Sequence, residues 1–289
     1  MVKSLVLLVL FSYSLVAEEV IGLDNDIQSV VVKDDPVTEK IKGFLCPQTY
    51  TQNKDFINAI FDPKSAFYKN DRVDSVKVIQ TLQDNGLLDL FFDKPQEIRL
   101  DFRTNGSPIF FVKIISDTLT ALGYYKYVTV ASTRDATEFI WSVNLTSEYA
   151  TDPLILQKEL KKKSCEIVDI QRTNAKEWSY LIDISNAKLN VEQLEDGKPL
   201  TLKRSLYEQW LDISKIKTLM IKSSHRNHWY PYIAYYDSSL HLLKVIKKDI
   251  VHGAIELKMP KNSVYMKISD LYTLKNIKDE MIFYPEGSR

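Results

Sequence analysis

The chain of 289 residues carries 38 Lys and Arg side chains and 38 Asp and Glu side chains, so its formal net charge is +0. Removing residues 1–17, whose one charged side chain is Lys3, leaves −1. A chain so close to neutral lacks the broad positive field that holds nucleic acid or an anionic membrane, and we expect no nucleic-acid partner. The length predicts about two domains.

Residues 1–17, MVKSLVLLVLFSYSLVA, have the pattern of a secretory signal peptide: Lys3, an apolar run, then Ala17 before two glutamates. The apolar run is too short to span about 30 Å of hydrocarbon, and no later run reaches about 18 apolar residues. We therefore expect no membrane span in the mature chain. The signal peptide and the Lys-, Ile- and Asn-rich composition predict export to the periplasm or cell surface of a bacterium.

A polar, extended lead-in occupies residues 18–36, and helical spacing of apolar residues follows up to residue 90. In this stretch Asp74 can accept hydrogen bonds at a helix start, and Gly86 can end that helix in the left-handed conformation. A second helix is predicted by an apolar stripe of Phe56, Ile57, Ile60 and Phe61.

Residues 97–185 alternate between strand and helix patterns. Ile98, Leu100 and Phe102 alternate with charged residues, as in a half-buried strand. Ser107 and Pro108 then predict the start of a helix, and Asp152 and Pro153 predict another. The first of these helices has an apolar stripe of Ile109, Val112, Ile115, Leu119 and Leu122. Two pairs of β-rich runs predict hairpins, YYKYVTVAS with FIWSVNLTS and CEIVDIQ with WSYLIDIS.

The resulting order is βαββαβ plus one extra strand, and one sheet with two helices on one face satisfies it economically. This order resembles the ferredoxin-like α/β sandwich. The resemblance implies a fold and no particular activity, because that fold serves many functions. We place the helical segment and this domain together in residues 37–185.

A polar stretch, residues 186–203, contains the turn signal Asp196-Gly197 and predicts a linker. Beyond it, residues 204–289 consist of short strand patterns separated by turns, which is typical of an all-β sandwich. The overall prediction is an α+β protein, with a ferredoxin-like domain preceded by short helices and followed by a β-sandwich.

The sandwich has a more specific resemblance. A tyrosine strand, YIAYYDSS, ends at an aspartate turn, and an apolar strand later runs through Met259-Pro260-Lys261-Asn262 into a tyrosine-bearing strand at 265–269. A last strand, MIFYPE, follows. This succession resembles jelly-roll, carbohydrate-binding-like modules of secreted proteins, and it implies a jelly-roll fold and a glycan as ligand.

The two cysteines, Cys46 and Cys165, leave two alternatives open. In an oxidising compartment one disulfide between them would stabilise the fold by about 4–5 kcal/mol, because it closes a long loop. The other alternative is two free buried thiols.

Several chemistries lack their residues. All four histidines lie within residues 225–252, but His225 and His228 are three apart in a strand-like stretch and no cysteine completes a zinc set. The eight glycines are isolated, so no glycine-rich phosphate loop exists. No GxSxG sequence is present. We therefore expect no metal, no cofactor and no catalytic residue set.

Aromatic surface is what the sequence offers instead. Strand alternation around SHRNHWYPYIAYYD places Ile233 and Tyr235 on one side and the neighbouring tyrosines on the other. Aromatic rings with polar tips can stack on a sugar or dock a protein. The predicted ligand-binding surface consists of Trp229, Tyr230, Tyr232, Tyr236 and Asp237.

These observations predict a non-catalytic, exported cell-envelope protein that acts as a binding or assembly module. Its expected partner is an envelope protein or a glycan, including peptidoglycan, recognised through the sandwich. One alternative is a hydrolase whose site lies between the domains and uses Asp237 with His228 or His241. Another alternative is a structural subunit of an envelope machine, with a broad apolar patch over the α/β domain.

Overall fold

The computed structural model describes residues 34–289, so the predicted signal peptide and almost all of the lead-in lie outside the described residues. Within this range the chain is α+β and contains several sheets. None of the helices between residues 34 and 289 is long and apolar enough to cross a membrane.

The helices begin where the sequence supplies caps and prolines. Asp74 and Asp152 accept backbone N–H groups of the first turn, as predicted, and Gly86 and Gly123 end two helices with φ of 68° and 89°. The α-helices are α1 Pro36–Phe44, α2 Pro47–Gln52, α3 Lys54–Ile60, α4 Ser75–Asp84, α5 Pro108–Ala121 and α6 Pro153–Lys161.

The first large sheet has the order β4-β5-β3-β7-β6, and β3 and β7 form its one parallel pair among the described residues. Both predicted hairpins are present, as β4–β5 and β6–β7. A separate two-stranded ribbon, β1–β2, precedes it. The strands are β1 Tyr68–Lys69, β2 Arg72–Val73, β3 Phe91–Thr104, β4 Tyr127–Arg134, β5 Phe139–Tyr149, β6 Glu166–Asn174 and β7 Glu177–Asp183.

Helix α5 begins at Pro108 with Ser107 in the N-cap position, as predicted, but two details differ. The Ser107 side chain makes no capping hydrogen bond, and its hydroxyl donates to the backbone oxygen of Ser239 at 3.1 Å. Ile109 is 61 % exposed, whereas Phe110 and Phe111 are buried. The start of α5 therefore packs both on its own sheet and on a later part of the chain, which the helical spacing alone does not reveal. Phe56 is likewise exposed, unlike the rest of its predicted stripe.

The rest of the chain forms two further sheets, of order β13-β12-β15-β10-β8 and β14-β11-β16-β9. Side chains from both sheets, including Leu219, Ile233 and Phe283, share one buried cluster. We call β8–β16 the two-sheet part. Its strands are β8 Glu192–Gln193, β9 Leu200–Leu202, β10 Gln209–Asp212, β11 Ile216–Ser223, β12 Pro231–Tyr236, β13 Leu242–Lys247, β14 Ala254–Lys258, β15 Tyr265–Asp270 and β16 Met281–Ser288.

The two-sheet part has two unlike ends. At its near end, which includes the turns 237–241 and 259–264, it packs on the α/β part (α1–α6 with β1–β7). There the Tyr265 ring lies 6.4 Å from Phe110, and its hydroxyl accepts the backbone N–H of Leu189 at 3.1 Å. The connections 203–208, 224–230, 248–253 and 271–280 lie at the opposite, distal end.

Candidate functional site

The side chains of β12 alternate as predicted. Ile233 and Tyr235 are buried between the sheets, whereas Tyr232 and Tyr236 lie half-buried on the outer face of the five-stranded sheet. Two of the five predicted ligand-binding residues therefore share one face.

Trp229 does not belong to that surface. Its side chain is buried, and its indole N–H donates to the backbone oxygen of Ser269 at 2.9 Å. Tyr230 lies on the connection before β12, where its ring meets Tyr272 edge-on at 4.9 Å. Both residues lie at the distal end, because β12 begins there at Pro231. The predicted cluster is thus divided between the distal end and the outer face of the sheet.

Asp237 has a local structural role. Its Oδ1 accepts the backbone N–H groups of Ser239 and His241, and its Oδ2 lies 2.9 Å from His241 Nδ1. Partial burial opposes ionisation of the Asp237 carboxyl, but these hydrogen bonds outweigh it and lower the pKa. The carboxylate therefore closes the turn between β12 and β13.

We define the aromatic–lysine face as Trp210, Tyr232, Tyr236, Lys247 and Lys267. Three of these residues were not singled out from the sequence: Trp210, Lys247 and Lys267. The rings of Trp210 and Tyr236 lie 5.0 Å apart. Lys267 Nζ lies 5.8 Å from the Tyr232 ring and 5.9 Å from the Trp210 ring. Lys267 pairs with Trp210 across β15 and β10, a register that local sequence spacing does not encode.

The chemistry of this face combines ring surface with positive charge. Lys247 Nζ lies 5.5 Å from the Tyr232 ring, and Lys267 is ion-paired with Glu208 at 3.0 Å. At the Trp210 end the face meets α5, because Lys113 Nζ lies 5.4 Å from the Trp210 ring. The Tyr232 end is therefore the part best placed to contact a ligand. Stacking on the ring, together with ammonium hydrogen bonds, suits a sugar that carries hydroxyl or carboxylate groups.

The remaining histidines do not assemble into a site. His228 lies at the distal end, where its backbone N–H donates to Asn276, so it does not meet Asp237 at the near end. Across residues 34–289, no group of three or more His, Cys, Asp and Glu side chains is placed to hold a metal ion.

A pocket of about 500 Å³ lies where the near end meets the α/β part. Its lining includes the hydroxyl-bearing residues Ser107, Ser185, Ser238 and Ser239. Asp237 and His241 flank the two serines of the turn in sequence. A hydrolase with a site between the domains would need its reacting groups in this pocket.

A second cleft, of about 670 Å³, adjoins this pocket and shares Arg72, Val168 and Leu181 with it. In it Lys40 pairs with Asp169 at 2.6 Å, and Ser75 donates to the same carboxylate at 2.8 Å. Burial opposes ionisation of Asp169, but the bonds from Lys40 and Ser75 outweigh it and lower the pKa of the carboxyl. The carboxylate is therefore already satisfied within the chain.

The two cysteines carry free thiols, so the disulfide that the sequence left open is not formed in this structure. Cys46 is exposed at the start of α2, and hydrogen bonds from Thr49 lower the pKa of its thiol. Cys165 is buried, and burial raises the pKa of its thiol to about 11.

No protein-family model matches this chain, and no curated protein matches it.

Proposed function

We propose that the protein is an exported, non-catalytic component of the bacterial cell envelope that binds a glycan through its aromatic–lysine face. The observation that supports this most directly is the position of Tyr232, which lies half-buried on the sheet's outer face with two ammonium groups near its ring. Three neighbouring strands, β13, β12 and β15, supply these side chains. A ring held by a sheet loses little conformational freedom on binding, which favours stacking on a sugar.

The finer fold assignment is part of the same proposal. We propose that the ferredoxin-like resemblance covers β3, α5, β4, β5 and α6, and that the two-sheet part is jelly-roll-like. The last hairpin departs from the ferredoxin-like order, because β7 rather than β6 lies beside β3, and the pair is parallel.

The glycan proposal is tested by sedimenting the full chain with insoluble bacterial cell-wall polysaccharide. We expect Tyr232→Ala to reduce retention up to about tenfold, the effect of losing one aromatic stacking contact. Tyr284→Ala is the matched control, because Tyr284 lies on the outer face of the other sheet with Lys222 Nζ 4.9 Å from its ring. Equal retention of the two variants would contradict the proposal.

A hydrolase is the second candidate, because Asp237 and His241 form a 2.9 Å pair and the intervening serines line the pocket between the two parts. An aspartate bonded to Nδ1 orients a histidine so that Nε2 can accept a proton. This candidate predicts release of soluble sugar or peptide fragments from cell-wall material, and loss of that release in His241→Gln. Wild-type protein that binds the material without releasing fragments would exclude it.

A further inference from the structure

Exposed apolar side chains concentrate at the distal end. Connections at this end carry five large hydrophobic residues with 46–79 % of their surface exposed: Leu206, Tyr207, Ile250, Val251 and Tyr272. We call the four connections 203–208, 224–230, 248–253 and 271–280 the distal tip. The α/β part covers the near end only. The distal end makes no such contact, and its apolar side chains are therefore left exposed.

Hydrogen bonds lock the connections of the distal tip together. The backbone N–H of His252 donates to Trp229 at 2.9 Å, and that of His228 donates to Asn276 at 2.9 Å. The carboxylate of Asp270 accepts the backbone N–H groups of both Tyr230 and Tyr272. The exposed side chains therefore project from a fixed frame, and their exposure does not come from a loose loop.

The segment 203–208 joins the same frame. Leu206 and Arg204 line a cavity together with Thr273, Leu274 and Lys275. The four connections thus follow one another across the distal end, with 203–208 beside 271–280 and 248–253 at the opposite edge of the two sheets. Their exposed apolar side chains all belong to this end.

The same connections carry positive charge. Among residues 34–289, five exposed cations of the distal tip have no ion-pair partner: Lys203, Arg204, Lys248, Lys275 and Lys278. The exposed carboxylates without such a partner are Asp249 and Glu280, while Arg226 and Asp279 lie 4.0 Å apart and offset each other. The near-neutral net charge of the chain therefore conceals a local positive excess.

We propose that the distal tip is a peripheral membrane-binding surface that inserts its apolar side chains into a bilayer containing anionic lipids. Aliphatic side chains such as Ile250 and Val251 offer a sugar neither a stacking face nor a hydrogen bond, but they partition into the boundary between headgroups and acyl chains. Tyrosine is favoured at that boundary, and unpaired lysines attract anionic headgroups. A protein partner fits less well, because lysine is depleted in protein interfaces relative to the rest of the protein surface.

This surface is distinct from the aromatic–lysine face, so the proposal does not depend on glycan binding. A polarity-sensitive fluorophore at Val251→Cys, in a full-length Cys46→Ser background, tests it. Leu243→Cys is the matched control: Leu243 is 42 % exposed and Val251 46 %, but Leu243 lies towards the near end of β13. The label at 251 reports on the tip itself, independently of whatever membrane affinity residues 1–17 provide.

We expect a blue shift at position 251 with vesicles of phosphatidylcholine and phosphatidylglycerol in equal parts. No shift is expected at position 243, with phosphatidylcholine alone, or with inorganic phosphate in place of vesicles. An unchanged emission at 251, an equal shift at 243, or an equal shift on neutral vesicles would each overturn the proposal.

A charge series provides a second, independent test. Replacing Lys275 or Lys278 by Gln is expected to raise the lipid concentration at which the shift at position 251 is half complete, about fivefold for each lysine lost. Lys158→Gln and Lys161→Gln are controls, because these lysines lie on α6 in the α/β part. An equal loss of vesicle affinity in the tip variants and in the α6 variants would mean that the attraction to anionic lipid is not localised at the tip. That result would overturn the proposal.

Discussion

The two ends of strand β15 place tyrosines in opposite situations. At the near end, the Tyr265 ring packs against Phe110 and its hydroxyl accepts a backbone N–H from Leu189. Just beyond the distal end, Tyr272 is 64 % exposed, although its own backbone N–H is held by Asp270. Tyrosine thus forms a contact between the two parts of the chain at one end and an exposed surface at the other. The burial of each tyrosine depends on whether another part of the chain packs over it.

The comparison also shows where stability comes from. The near end is stabilised by burial against the rest of the chain, because side chains of α5 and of the segment around Leu189 shield Tyr265 from water. The distal end is stabilised from beneath, by the buried Trp229 and the Asp270 carboxylate, while its outermost side chains stay in water. Substitutions beneath the tip should therefore cost far more than substitutions on it.

The largest effect is expected for Trp229→Ala. This change leaves a large cavity beneath the distal tip and removes the hydrogen bond to Ser269, so we expect the free energy of unfolding to fall by about 3–5 kcal/mol. Tyr207→Ala, at the most exposed large hydrophobic side chain of the tip, should change it by less than about 0.5 kcal/mol. Urea unfolding of both variants measures the difference. Similar losses would show that the tip is not supported from beneath.

A smaller loss, about 2–3 kcal/mol, is expected for Asp270→Ala. The carboxylate accepts backbone N–H groups from Tyr230, Tyr272 and Thr273, and all three lose their acceptor. Faster hydrogen exchange should appear at those amides. Asp249→Ala, an exposed carboxylate at the same end, is the control and should leave both stability and exchange unchanged.

At the near end, Tyr265→Phe is expected to cost about 1–2 kcal/mol. The change leaves the buried N–H of Leu189 without an acceptor while keeping the ring contact with Phe110. Thermal or urea unfolding measures it. A neutral result would mean that this contact relies on ring packing alone.

The same substitution should have the opposite sign at Tyr235. Its hydroxyl is buried and finds no hydrogen-bond partner among the described residues, so Tyr235→Phe should raise the free energy of unfolding by about 0.5–1 kcal/mol. A loss as large as that of Tyr265→Phe would show that the hydroxyl has a partner.

The same hydroxyl gives a pH dependence. Burial raises the pKa of Tyr235 above its unfolded value of about 10, so the neutral hydroxyl favours the folded state. This contribution is lost progressively as pH rises above about 10 towards the folded pKa. Between about pH 9 and about pH 11, Tyr235→Phe should therefore lose less stability than the wild type. Urea midpoints measured across this range provide the check, and parallel curves would contradict it.

Local patterns predicted the elements well. The alternation of Ile98, Leu100 and Phe102 gives a strand whose three apolar side chains are fully buried. The caps at Asp74 and Asp152 hold, because a cap depends on only three or four consecutive residues. Both hairpins of the α/β part were predicted for the same reason, since each pairs neighbouring segments.

Features that depend on distant segments were missed. Strand β10 is only four residues long, and its Trp210 reaches the candidate face because β10 pairs with β15, far along the chain. The sequence predicts Trp229 on the ligand-binding surface, yet its side chain is buried beneath connections that come about twenty to fifty residues later. Of the five predicted ligand-binding residues, Tyr232 and Tyr236 lie together on the outer face. Alternation along a strand predicts this without information on which strands pair with it.

The parallel pairing of β3 with β7 has a consequence for how the chain acquires its shape. The middle strand of the first sheet, β3, can pair along its second edge only after β7 (Glu177–Asp183) has been synthesised. Until then one edge of β3 is open, and closing it brings together the ends of a long intervening segment, whose loop-closure entropy slows folding. The strands β4, β5 and β6 are therefore synthesised before the centre of this sheet can close, and during that interval the open edge of β3 is free to pair with another strand.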